Sequence, residues 1–267
     1  MLFSGQLWLY WFFNPYRRCL GRLLAFLVSG GFGSMVCRWV WVAGGFLVEK
    51  EDEEMILDVV QTRKELREVE FKILRGGVNV GSAFLRGTLG SIDANVIVNL
   101  FGVTYELHRD TWQVSPDPKM IKYYRPYKVS ILPKAKQSGV VTYVERKLGW
   151  FKTRTYLSFT SGSDVYEGYE LGMGKESLKM PVYLKNKLIA EIDSNNIIDN
   201  ECYKYRVYCK KNEYSVPTIL MTVYFYVIGC FKTGEKVYKS KRIIYSKTTD
   251  KFLLSKYDSG FTKGIRV

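Results

Sequence analysis

Thr218-Ile219-Leu220-Met221-Thr222-Val223-Tyr224-Phe225-Tyr226-Val227-Ile228-Gly229-Cys230-Phe231 is the most apolar run of the C-terminal half of this chain, and the fold turns on its reading. It is too short to cross a bilayer as a helix, which takes about 20 apolar residues. Its β-branched and aromatic content suits a strand. The apolar residues fall on both parities, so that strand is expected at the centre of a sheet, buried on both faces. Upstream, Tyr203, Tyr205, Val207 and Cys209 alternate with Lys204, Arg206 and Tyr208. Residues 181–184 and 188–192 flank Lys185-Asn186-Lys187 as a hairpin, and residues 140–146 and 153–159 flank a turn at Gly149. Downstream, Thr233-Gly234 turns the chain into a return strand over residues 236–246, where Val237, Lys239, Lys241, Ile243 and Tyr245 share one face. Residues 251–257, with Phe252, Leu253 and Leu254, predict a short closing helix. Seven or more strands and a terminal helix predict a mainly β, antiparallel, barrel-like domain, because closure removes exposed edges.

This half also carries the charge. Residues 119–267 hold 28 Lys and Arg against 13 Asp and Glu, whereas residues 1–118 hold 12 against 13. The whole chain is +14, and a β surface with so many surplus cations should seek anions. Lys232, Lys236, Lys239, Lys241, Arg242 and Lys247 cluster on or beside one predicted hairpin and form the candidate anion-binding set. Lys179, Lys185 and Lys187 mark another loop. Lysine outnumbers arginine here, which points to diffuse point-charge attraction rather than bidentate recognition. The bland alternative is a solvated face whose lysines block edge-to-edge aggregation.

The run Thr249-Asp250-Lys251-Phe252-Leu253-Leu254-Ser255-Lys256-Tyr257-Asp258 follows the meandering strands, Tyr123-Tyr124-Arg125-Pro126 stands near the domain start, and a hairpin spans residues 181–192. With these features, residues 119–267 resemble bacterial tubby C-terminal-like domains, of the tubby, LURP-one and scramblase group. The resemblance implies a β-barrel wrapped around a hydrophobic C-terminal helix. It also implies binding of anionic lipid head groups through basic residues, as eukaryotic tubby members bind phosphoinositides. No ligand residue is carried over from it.

Residues 49–118 predict a small α+β segment. Acidic residues crowd the start of 51–75, Arg67, Lys72 and Arg75 come late, and Gly76-Gly77 follows, which reads as a helix and its stop. Val69, Phe71 and Ile73 alternate like a strand and compete with that reading. Short apolar stretches at 94–100 and 103–107 read as strands, and Ser115-Pro116-Asp117-Pro118 as the boundary with the basic domain. Residues 1–48 predict a membrane anchor: a short aromatic run over 2–13, then an apolar run over 23–48 broken by Arg38. A cleaved signal peptide is the alternative. Arg17, Arg18 and Arg22 before the span favour an external body, while a basic body suits the anionic cytoplasmic leaflet, so the side of the membrane stays open.

Catalytic chemistry finds little support. His108 is the single histidine, which removes two-histidine metal motifs and leaves any dyad resting on one residue. Gly172-Met173-Gly174-Lys175 lacks the spacing of a phosphate loop, and Glu176 stands where magnesium would need Ser or Thr. Five cysteines without a CxxC pattern form neither a zinc site nor a disulfide framework, although Cys202 and Cys209 could pair in an exported domain. The expectation is therefore a non-enzymatic, single-pass membrane protein, with no catalytic residue, metal or cofactor, whose basic β domain binds an anionic membrane surface. The alternatives are a nucleic-acid-binding module using tyrosines as stacking platforms, and a structural or interaction domain without a small ligand.

Overall fold

Residues Ser215–Gly229 form an α-helix, α1, where a strand was expected. From Pro217 to Val227 every side chain of α1 is buried. A helix apolar on all sides belongs inside a core. The surroundings decide against a strand, because the sheet around this segment closes on itself and offers no edge to pair with. A helix satisfies its backbone N–H and C=O groups internally, so it can occupy an interior that supplies no partners. Pro217 sits in the first turn, where its missing N–H costs no hydrogen bond. The two buried threonines are satisfied locally: Thr218 Oγ1 donates to Tyr214 O at 2.6 Å, and Thr222 Oγ1 to Thr218 O at 2.8 Å.

The structure is a computed structural model that describes residues 53–65, 67–87, 94–109, 121–134, 136–148, 153–195, 197–199, 202–229 and 240–265. The expected membrane anchor, the Ser115–Pro118 boundary, the Gly149 turn and the Thr233-Gly234 turn lie outside these residues. Among the described residues no helix is long and apolar enough to cross a membrane.

Strands β1 (Met55–Lys64), β2 (Glu68–Arg75), β3 (Val78–Gly87), β4 (Ala94–Leu100), β5 (Val103–Arg109), β6 (Ile121–Leu132), β7 (Lys136–Lys147), β8 (Thr153–Ser161) and β9 (Asp164–Gly168) make an antiparallel meander. Next come β10 (Leu171–Gly172), β11 (Ser177–Leu184), β12 (Lys187–Asn195), β13 (Ile197–Asp199) and β14 (Lys204–Cys209). β14 inserts between β12 and β1, and β11 pairs with both β12 and β9. Twelve strands thus form a closed antiparallel barrel. β9 and β10 lie end to end along β11, interrupted at Tyr169-Glu170. β13 pairs with β15 (Ser240–Arg242) in a separate two-stranded ribbon.

The period of two places one face of each strand on α1. Leu57 and Val59 of β1, Phe71 and Ile73 of β2, Leu85 of β3, Val98 of β4, Tyr127 of β6 and Val207 of β14 are all essentially inaccessible. Phe71 meets Tyr226 edge-on at 4.9 Å, and Tyr127 meets Tyr224 at 5.6 Å. Each such burial contributes about 1.5–3 kcal/mol.

Two further expectations change. Residues 51–75 hold no helix in the described part; they form β1 and β2, the alternation of Val69, Phe71 and Ile73 prevailing. Gly76 and Gly77 both have positive φ, 55° and 83°, and make the two-residue turn of the β2–β3 hairpin rather than a helix stop. The return strand over 236–246 is described only as β15. Residues 243–249 then run as a strap across the rim of the barrel. Tyr245 N donates to Gly174 O at 3.0 Å and Thr248 N to Gly172 O at 3.1 Å. Gly172 is required there, since a Cβ would stand 1.9 Å from Ser246 O.

The strap ends in α2 (Lys251–Lys256), the predicted closing helix, and α3 (Phe261–Gly264). Asp250 caps α2 by accepting from Phe252 N at 3.0 Å. α2 lies outside the barrel wall, where Leu253 joins Tyr169, Leu171 and Tyr183 in a second small core. The helix that fills the barrel is α1, and the C-terminal one is an external clasp.

Candidate functional site at the barrel mouth

The barrel has two ends. α1 enters beside Cys209, where β14 finishes, and its C-terminal turn points to the other end, where β14 begins. At that second end a pocket of about 640 Å³ opens between the barrel wall and the strap. Phe225, Ile228 and Gly229 of α1 form its floor, and Tyr143, Glu145, Thr155, Leu178, Ser194, Tyr203, Ile243 and Tyr245 its walls. Glu170 completes it, placed there by the break between β9 and β10.

Tyr143 Oη donates to Glu170 Oε1 at 3.2 Å. Burial holds the Glu170 carboxyl above its ordinary range, the Tyr143 bond opposing it. Burial also raises Tyr143, and the nearby Glu170 charge acts in the same direction. Tyr203 packs edge-on against Tyr226 of α1 at 5.3 Å and stacks with Tyr205 at 6.3 Å, so its ring is held by the core. Nothing in the sequence singled out Glu145 or Glu170. The site joins residues from β7 to the strap, about 100 positions apart along the chain from Tyr143 to Tyr245.

Of the six predicted anion-binding residues, Lys232, Lys236 and Lys239 lie outside the described residues. The stretch that holds them joins α1, whose last residue lines the mouth, to β15. Lys241 is in β15 opposite Ile198, and Arg242 opposite Ile197. Arg242 and Lys247 are exposed. Lys247 lays its methylenes over Gly174, whose Cβ would come within 3.2 Å of Cε. Three large apolar side chains are exposed near these cations and the adjoining β7–β8 end: Ile244 at 62 %, Leu148 at 41 % and Ile197 at 38 %. Arg146 and Lys147, beside Leu148, are exposed as well.

The second lysine group divides. Lys179 is a half-buried strand residue that lies 3.3 Å from Glu191 and also pairs with Asp193. Lys185 pairs with Asp164 at 2.9 Å while remaining exposed, and Lys187 is the exposed first residue of β12, opposite Leu184. An open groove of about 690 Å³ on the outer wall carries Lys179, Lys204 and Arg206 together with Asp58, Glu176 and Asp193, a balanced lining rather than a cationic one. His108 is exposed near the end of β5, opposite Lys128. Neither Cys202 nor Cys209 forms a disulfide; Cys209 is buried inside the barrel, which pushes its thiol up to about 12. Among the described residues no group of three or more His, Cys, Asp or Glu is placed to hold a metal ion. No family model, no curated protein and no solved structure matches this chain.

Proposed function

We propose that this is a non-enzymatic, membrane-associated protein whose barrel docks its mouth end on an anionic bilayer surface. The observation that carries the reading is the interleaving of exposed apolar and cationic residues at that end: Ile197 across from Arg242, Ile244 two residues beyond it, and Leu148 next to Lys147. Apolar side chains can enter the head-group layer while cations meet lipid phosphates, each cation contributing about 1 kcal/mol near an anionic surface. Lys241 of β15 and Lys247 of the strap would add to the same field. The proposed likeness to tubby C-terminal-like domains agrees with this use of a basic barrel. What supports it is general, a closed β-barrel around an apolar helix, and the unit concerned includes β1–β5, because these strands complete the ring.

The test is sedimentation of the full chain with vesicles of phosphatidylcholine alone and with phosphatidylglycerol added. Binding should rise with anionic lipid and fall with salt. The double variant Arg242→Glu, Lys247→Glu should lose the anionic increment, and Ile244→Asp should weaken binding further. Equal binding to both vesicle types, or an unchanged increment in the double variant, would overturn the reading. Displacement from anionic vesicles by a single-stranded oligonucleotide at lower concentration than by soluble lipid head groups would favour the nucleic-acid alternative.

A further inference from the structure

The mouth pocket has the opposite polarity to the chain that builds it. The protein holds 40 Lys and Arg against 26 Asp and Glu, yet among the described residues the lining of this pocket includes two carboxylates, Glu145 and Glu170, and no Lys or Arg. Its other walls are largely aromatic and aliphatic, with Tyr143, Tyr203, Phe225 and Tyr245 in the lining beside Leu178, Ile228 and Ile243. A small anion would meet two carboxylates there and no described counter-charge. A metal ion would find no group of three or more His, Cys, Asp or Glu among the described residues. Aromatic faces beside carboxylates instead suit a bulky, weakly hydrated organic cation, attracted by the ring quadrupoles and by the acidic groups together.

We propose that this pocket binds a quaternary ammonium group of the choline type. Its volume, about 640 Å³, exceeds that of a trimethylammonium head and leaves room for whatever chain carries it. The bond from Tyr143 fixes one oxygen of Glu170 and orients the carboxyl at the pocket wall. Tyr203 is braced from behind by Tyr226, so the cage is formed before a ligand arrives. Burial of the Glu170 carboxyl adds to the case, because an entering cation would supply the favourable interaction that water gives an exposed carboxylate. The group could arrive as a free solute or on the head of a phosphocholine lipid, and both share this chemistry.

The experiment is calorimetric titration of the full chain with choline and with its neutral isostere 3,3-dimethylbutan-1-ol, followed by phosphocholine in solution and phosphatidylcholine vesicles. Choline or phosphocholine should bind at least about tenfold more tightly than the isostere. Glu170→Gln should remove most of that preference while leaving the isostere's affinity in place, and Glu145→Gln should reduce it in the same direction. Tyr245→Leu, on the strap rather than in the barrel wall, serves as a cage variant that spares the core and should also weaken choline. Binding of choline itself would assign a free solute; binding only of phosphocholine and phosphatidylcholine would assign the lipid head. Equal affinity for choline and isostere, no binding in any arm, or an undiminished preference in a folded Glu170→Gln protein would overturn the proposal. None of the solution arms depends on anionic vesicles, so this result is independent of the docking reading above.

Discussion

Glu170 shows how a single position acquires its character from its surroundings. In sequence it is one acid in Tyr166-Glu167-Gly168-Tyr169-Glu170. In the fold it occupies the gap between two strand segments and turns toward the mouth pocket, where burial raises its carboxyl above the ordinary 4.5. Between that value and the raised one, the native state binds more protons than the unfolded chain, so stability falls as pH rises through the window. Glu191, fully buried and also raised chiefly by burial, acts in the same direction. Glu170→Gln is therefore expected to lessen the drop in Tm between about pH 4.5 and 7, with the Glu191 contribution remaining. Thermal melts across that interval check it, and a drop as steep as the parent's would contradict it. Lys179 illustrates the same lesson with the other sign. The sequence groups it with Lys185 and Lys187 as marking a loop, but the pairing of β11 with β12 sets it against Asp193, with Glu191 also in reach.

At the level of elements, the strap and α2 form the part of the fold that can detach without opening the barrel. Arg154 of β8 holds Asp250 at 3.0 Å in a pair only 14 % and 19 % exposed, and its guanidinium lies 4.2 Å from the Phe252 ring centroid. Tyr183 Oη adds a bond to Lys256 O at 2.9 Å. Arg154→Ala removes the pair and the cation–π contact together, a loss of about 1–3 kcal/mol confined to the clasp. Limited proteolysis should then cut at Lys251 or Lys256 faster, while the barrel fragment resists as before; equal cutting rates would show that the clasp is held by other contacts. α1 and β1 also show where pattern reading stops. Val and Tyr favour strands, and Ile56, Val59 and Val60 mimic a helical stripe, yet each segment adopts the other state. Local preference amounts to about 1 kcal/mol or less per residue, whereas an unpaired buried backbone group costs about 1–3 kcal/mol. Backbone satisfaction within the closed ring therefore prevails.

Across the whole molecule, closure makes stability hierarchical. The amides of α1 lie within a ring of twelve paired strands and should exchange with solvent only when the barrel opens globally. Those of α2 should exchange through local release of the clasp. Hydrogen exchange followed by mass spectrometry would separate the two classes, and α1 peptides exchanging as fast as α2 would refute a sealed core. The same closure explains why the charge boundary near Pro118 does not divide the ring, since β5 and β6 pair directly across it, from Thr104 with Leu132 to Arg109 with Tyr127.

From its residues alone the chain determined a mainly β, antiparallel, barrel-like body with a short C-terminal helix and a basic surplus, because alternation, turn chemistry and charge are local properties; that this helix lies outside the barrel was decided by the tertiary structure. Tertiary structure alone decided that the most apolar segment would be a helix inside the barrel and that residues 55–75 would be wall strands. It also decided that Glu145 and Glu170 would line one pocket at the mouth with Tyr143, Tyr203, Phe225 and Tyr245. Those outcomes depend on which backbone groups lack partners and which distant residues the closed ring brings together, and neither is written in any short stretch of sequence.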